Sequence, residues 1–451
     1  MIATEIRNNI RDYPFFFYSL STSFMVFLSI YAIQNWPNSW AQISISFACL
    51  LTLSATLKRE LPNLLKNKTW PVEIKWVLTI FFLGALNICF SENNWQSLKG
   101  MGLFLMSGIS VFLTTFFLFQ SEKNKEKFFL LCTFCFFILV IYGFFEFYQI
   151  LTLPPAQPRH QLRILLFSHN PIPAGSILIL LSLGPISLLT YFKSGWKKNL
   201  LVCSLVFGVI VIILIEKRGP LVSLMLMTFL WVITNRKRLV AFILTGLIVG
   251  GIIYNVKGQI PIELKNRIQD EQTLLVRLEF FFIAIEVLKE KPLFGLGFNS
   301  PLSKFIPNDY EAKIFPENKY KYYKPWFKPE NQNGNFSFIN MITGVTVFDN
   351  MALTFLGETG GLFSAAYFCL MFYLIKNKAT NCSNDEKRRF GLLLIVLAGF
   401  LAHSMTFDSL KYPNLNWIFH SFLGLLVSNK RIEQVIPSEN SSNQLKGLSQ
   451  V

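Results

Sequence analysis

Arg218, Arg277, Arg163 and an acid–amide pair, Asp349-Asn350, are the residues of this chain whose types and placing best suit chemistry. Arg218 stands in LIEKRGPLVSL, Arg277 in LLVRLEFFFIAIEVLKE, and Arg163 in QLRILLFSHNP together with His169. Asp349-Asn350 begins DNMALTFLGETGG, which also carries Glu358. A guanidinium presents a forked set of donors matched to phosphate oxygens. A carboxylate can accept the proton of an attacking hydroxyl, as glycosidases show. Together these groups suit an anionic ligand with a carboxylate close by. Each also has a plain structural reading. A lone arginine at a span end snorkels to headgroups, and an Asp-Asn pair at a helix start caps free backbone N–H groups. Three arginines on one side of a membrane, around one large loop, point instead to an anionic ligand.

The elements that must position them are membrane helices. The chain has 451 residues, 52% hydrophobic and 15% charged, with 47 Phe. Soluble domains carry about 25% charged residues, so this chain cannot cover itself in water. Its apolar runs are long enough to cross ~30 Å of hydrocarbon. The expected fold is all-α, a polytopic membrane helix bundle of about twelve transmembrane helices. The spans are read at 15–34, 40–57, 76–91, 100–120, 128–152, 172–192, 199–215, 219–235, 239–254, 350–375, 390–407 and 414–428. The first apolar run is read as a retained helix, because another span follows it and no small-residue cleavage site does.

The net charge of +16 is explained by where the cations fall, which argues against nucleic acid as a partner. Alternate loops carry Arg7 and Arg11; Lys58, Arg59, Lys66, Lys68 and Lys75; Lys123, Lys125 and Lys127; Lys193, Lys197 and Lys198; Arg236 to Arg238; Lys376 to Arg389; and Lys430-Arg431. The opposite short loops hold only Lys99, Arg159, Arg163, Lys217, Arg218 and Lys411. By the positive-inside rule both termini are cytoplasmic, and the basic face meets anionic membrane lipids. Six of the seven cysteines fall in apolar spans, so no disulfide framework is expected. No outer cluster has metal-ligand spacing, and no cofactor is indicated.

Residues 1–430 read as a single transmembrane domain, and 431–451 as a short disordered cytoplasmic tail. The large loop 255–348, on the outer side, holds an amphipathic helix near 274–290. PLFGLGFNSP stops that helix. A Tyr- and Lys-rich run follows, with Tyr320, Tyr322, Tyr323, Trp326 and Phe327 suited either to stacking on sugars or to the bilayer interface. Long loops of this kind are usually functional. His160 is a further outer-side candidate base, whereas His403 and His420 are expected to hydrogen-bond within the bundle.

The order of these motifs resembles the bacterial O-antigen ligase and O-antigen polymerase family. Its elements here are Arg218-Gly219-Pro220-Leu221, then Arg277 with Ala284, Pro292, Gly295 and Gly297, then Asn350, Leu353, Glu358 and Gly360. A twelve-span layout with a large late outer loop is also the family's. The resemblance implies a metal-independent membrane glycosyltransferase of lipopolysaccharide or polysaccharide biosynthesis, working on the periplasmic face of the bacterial inner membrane. Its donor is then a glycan on undecaprenyl pyrophosphate. Its acceptor is a lipid A core sugar in a ligase, or a second lipid-linked glycan in a polymerase. By resemblance Arg218, Arg277 and Asp349 are catalytic, with Arg163, His169, Asn350 and Glu358 binding substrate. Glu358 is expected to position an arginine.

One position departs from the pattern. The family's ligases commonly place His before the Asn, and here Asp349 stands there. An unperturbed Asp titrates near 3.9 and is a weak base at neutral pH, so capping and catalysis both remain open for it. A lipid-linked glycan flippase is the non-enzymatic alternative. Against it, no internally related halves are seen.

Overall fold

A computed structural model of the chain describes residues 2–27, 38–66, 70–152, 164–166, 171–192, 194–215, 217–233, 281, 284–285, 287–300, 350–376, 384–405 and 407–428. Every regular element among these is helical. In chain order they are α1 (Ile2–Phe27), α2 (Asn38–Lys66), α3 (Val72–Cys89), α4 (Asn94–Leu118), α5 (Glu122–Thr152), α6 (Pro171–Leu181) and α7 (Leu183–Leu188). Then come α8 (Trp196–Leu214), α9 (Arg218–Ile233), α10 (Met351–Lys376), α11 (Asn384–Ser404) and α12 (Pro413–Ser428). Five of them, α3, α4, α5, α8 and α10, are long and apolar enough to cross a membrane. Every expected span except 239–254 coincides at least in part with described helix; residues 28–34 of the first span, the span 239–254, the tail 431–451 and most of the loop 255–348 lie outside the described residues.

The helices follow from the bilayer itself. With no water to satisfy them, backbone N–H and C=O groups must pair within the segment. The sixth expected span divides into α6 and α7 because Pro185 has no N–H to offer Leu181. α12 lies at the centre, with all of its residues buried. Several of its polar groups pair with neighbours: Trp417 Nε1 donates to Thr22 Oγ1 at 3.0 Å, and Tyr18 donates to Ser421 Oγ at 2.7 Å. His420 Nε2 meets the Tyr367 hydroxyl at 3.1 Å, and its Nδ1 meets the Asn416 carbonyl at 2.9 Å. As expected, His420 serves the bundle. Outward, Phe82, Phe134, Ile141, Phe207 and Phe372 are exposed, a surface suited to lipid chains.

Among the described residues two helices contain a π turn, Leu105–Ile109 in α4 and Phe355–Thr359 in α10. Such turns release carbonyls from the helical ladder and are frequent at functional sites. In α4 the Phe104 carbonyl is taken by Asn416 Nδ2 at 2.9 Å. The two turns adjoin, with the Phe104 and Phe355 rings edge to face at 5.4 Å.

Candidate functional site

The site is built where the turn after residue 290 closes on the start of α10. Pro292, Gly295 and Gly297 end the helical residues 287–290, and Gly295 (φ 61°), Gly297 (φ 97°) and Asn299 (φ 63°) turn the backbone left-handed. Left-handed backbone is open to glycine at little steric cost. The π turn in α10 leaves the carbonyls of Gly357 and Glu358 facing this turn. Leu296 N–H donates to Gly357 O at 3.0 Å, and Gly297 N–H to Glu358 O at 2.8 Å. Gly361 N–H donates in return to Pro292 O at 2.7 Å. The two backbones touch so closely that a Cβ at Gly295 would lie 2.5 Å from Gly357 O. A Cβ at Gly360 (φ 72°) would likewise lie 2.4 Å from Leu293 O and 2.5 Å from Gly295 N. The glycines of both motifs therefore serve one joint.

Asn87, buried on α3, locks that joint. Its Nδ2 donates to Phe294 O at 2.7 Å and Glu358 O at 3.2 Å, while its Oδ1 accepts from Phe298 N–H at 3.2 Å. Beside it, the Lys291 ammonium pairs with Glu92.

The Glu358 side chain then faces a cation, as a carboxylate at this depth must. Its Oε2 accepts from Asn299 N–H at 2.6 Å. Its Oε1 meets Lys411 Nζ, also at 2.6 Å, with side chains only 1% and 11% exposed. Among the described residues the cation beside Glu358 is thus a lysine; the side chains of Arg163, Arg218 and Arg277, the arginines that it could position, lie outside them. The short turn between α11 and α12 brings Lys411 within reach. Asp408 Oδ2 stands 3.8 Å from the same ammonium, and Lys411 Nζ lies 5.5 Å over the Phe298 ring.

Asn350 is the N-cap of α10. Its Oδ1 accepts from Ala352 N–H at 2.9 Å and Leu353 N–H at 3.2 Å, and its Nδ2 donates to Met405 O at 2.7 Å. The substrate-binding role expected of Asn350 therefore competes with a structural one that uses both ends of its amide. Asp349 lies outside the described residues, but the capping position that it could have filled is taken. Asn350→Ala should cost about 1–2 kcal/mol of stability through the lost cap, measurable by thermal unfolding. Asp349→Asn should leave stability within about 0.5 kcal/mol yet weaken glycan transfer; a full-strength product ladder from that variant assigns Asp349 to structure alone.

Arg218 opens α9, and of it only the backbone is described. Pro220, two residues on, packs against Gly175 of α6, where a Cβ would collide with the proline ring. The adjacent Ser176 hydroxyl meets His403 of α11 at 3.1 Å, and His403 Nδ1 meets Ser409 Oγ at 3.1 Å. His403 is thus held within the bundle, as expected. Met405, just beyond it, receives the Asn350 amide. The start of α9, the start of α10 and the Asp408–Lys411 turn accordingly share one end of the bundle. Arg277, Arg163 and His169 lie outside the described residues, as does the run 320–327. The backbone N–H groups of Leu165 and Leu166, close after Arg163, both donate to Glu146 Oε2 at 2.9 Å. A carboxylate on α5 therefore anchors the backbone of residues 165–166.

Asn87, Glu146, Asp408 and Lys411 were not singled out by the sequence. For Lys411 one signal existed: it is a cation on a side of the membrane where few occur. Asn87 and Glu146 carried another, since each is a polar residue inside an apolar run.

The O-antigen ligase family model matches residues 203–334. The matched segment contains Arg218, Arg277 and the Pro292–Gly297 turn, and it ends before α10. This match supports the O-antigen ligase family. No curated protein matches the chain.

Proposed function

We propose that the chain is an O-antigen ligase-like glycosyltransferase of the bacterial inner membrane. It moves a glycan from undecaprenyl pyrophosphate to an acceptor sugar of the lipid A core, on the periplasmic face. The observation that carries this reading is the joint between two motifs. The matched segment contains a turn, at residues 292–297, that is hydrogen-bonded, backbone to backbone, to the Gly357–Gly361 stretch of α10. Residues far apart in sequence thereby reach one end of the bundle, and the sparse cations of that end's loops favour the periplasmic side.

In this reading the acceptor hydroxyl attacks the anomeric carbon of the donor. A bond forms between acceptor oxygen and sugar as the bond from sugar to pyrophosphate breaks. The departing pyrophosphate takes the electron pair, and Arg218 and Arg277, fixed beforehand, hold its growing charge. Asp349 receives the hydroxyl proton. Glu358 and Lys411 act from behind by holding the 292–299 turn against α10. A polymerase joining lipid-linked repeat units is the second reading, favoured by Asp349 standing where ligases commonly carry His.

Mass spectrometry of lipid-linked intermediates in a deletion strain separates these readings. Accumulation of full-length lipid-linked glycan is the result expected of a ligase. Single repeat units would assign a polymerase, and unexported precursors would overturn enzymatic transfer in favour of a flippase.

A further inference from the structure

α8 and α9 follow each other along the chain, yet each packs closely onto a different neighbour. Gly208 of α8 lies against α5, where a Cβ would stand 2.3 Å from the Phe136 ring. Met227 of α9 lies against α11, where a Cβ at Gly399 would stand 2.4 Å from Met227 Cγ. Between α8 and α9 a cavity of about 400 Å³ is left, closed behind by α5, α6, α7 and α11. Ligand pockets have volumes of about 300–1,000 Å³. Val209 and Trp231 line the cavity and are themselves exposed, so it opens between α8 and α9 on the flank of the bundle. Val206 and Phe229, exposed beside the opening, give that flank a surface suited to lipid chains.

The lining suits hydrocarbon and not water. Its two hydroxyls are spent on their own helices, Ser182 donating to Ile179 O at 2.6 Å and Thr228 to Leu224 O at 2.8 Å. A buried water needs two to four polar partners, and an empty space of this size deprives its walls of dispersion contacts. An apolar occupant answers both. The lining extends from Ile179 to Leu189 and from Leu224 to Trp231, roughly 15 and 10 Å at 1.5 Å per residue. Such a slot lies along the helices and takes a stretched chain. We infer that it holds an acyl chain of a bilayer phospholipid, from the leaflet at the end of the bundle opposite Glu358. α9 begins with Arg218 at the Glu358 end, and Trp231 stands about 20 Å further along its axis. Acyl chains of the opposite leaflet start beside the opening, whereas a lipid whose phosphate is held at the Glu358 end has its first carbons at the far end of α9. The contact involves neither the glycan nor the acceptor of the proposed transfer.

The test is native mass spectrometry of the purified full chain, stripped of lipid in a steroid detergent, which has no long chain to enter the slot. The protein is then titrated with phosphatidylcholine, with single-chain lysophosphatidylcholine and, separately, with a polyprenyl phosphate. A single phosphatidylcholine should bind, and lysophosphatidylcholine should bind equally well, since one chain fills the slot. Thr228→Phe and Val209→Phe put a ring into the cavity and should lower the affinity for both about tenfold, with the unfolding temperature unchanged or raised. Phe372→Leu, on the exposed face of α10, should bind as the wild type does. Wild-type protein that binds no phospholipid overturns the proposal, as does binding unaffected in both cavity variants or weakened equally in Phe372→Leu. Polyprenyl phosphate that displaces phosphatidylcholine at lower concentration overturns the phospholipid assignment in favour of an isoprenoid chain. Should Thr228→Phe fail to fold, Val209→Phe decides.

Discussion

Alanine at position 218 or at position 277 is expected to abolish the high-molecular-weight glycan ladder, in a strain lacking the native gene, while each variant still inserts. Losing one preorganised donor from a charge-stabilising site costs about 10²–10³ in turnover, enough to empty the ladder of transferred glycan. For Arg218 the local structure argues that the residue is there for function. It stands at the first position of α9, where the positive end of the helix dipole disfavours a cation. Nothing about starting that helix asks for arginine, since Pro220 already suits a first turn and packs on Gly175. A residue that weakens its own helix is more readily explained by a ligand with negative charge. Lysine at either position should restore only part of the activity, because a point charge lacks the fork that meets two phosphate oxygens. Normal ladders from both alanine variants would end the arginine argument.

The sequence disclosed the helical fold because the signal is local. Each apolar run carries its own evidence for a helix, and the all-helical structure follows. The site was legible only as an order of motifs. Gly295, Gly297 and Gly360 could be recognised as a pattern, but the reason for them could not. It rests on a π turn in α10 and on left-handed backbone in the facing turn, two features that no periodicity reports. Lys411 as a partner of Glu358 went unforeseen for a related reason. Depth alone demanded a cation, and arginines were the cations that the motifs supplied. Lys411 is 53 residues away along the chain, in a turn whose closeness to α10 depends on how α11 and α12 pack. Asn350 was read correctly as a possible cap; that it also fastens α10 to Met405 of α11 depends on packing again.

Glu358 and Lys411 also set the second large effect, on stability. Removing one partner of a buried pair costs about 3–5 kcal/mol, because the other charge is left behind. The two removals are not equivalent here. Glu358→Gln keeps an oxygen for Asn299 N–H and leaves Lys411 with Asp408 at 3.8 Å. Lys411→Met leaves Glu358 and Asp408, both nearly inaccessible, without the ammonium that stands between them. Lys411→Met should therefore destabilise by about 3–5 kcal/mol and Glu358→Gln by less. The double variant should unfold at a higher temperature than Lys411→Met alone, since it no longer buries the Glu358 charge. Thermal unfolding gives this ordering, and the ladder assay separates structure from chemistry. If the double variant recovers stability and ladder together, the pair only holds the turn against α10. If it recovers stability without the ladder, the Glu358 carboxylate acts on what binds beside it. An ordering reversed between the two single variants would mean that Lys411 is held mainly by something other than these carboxylates.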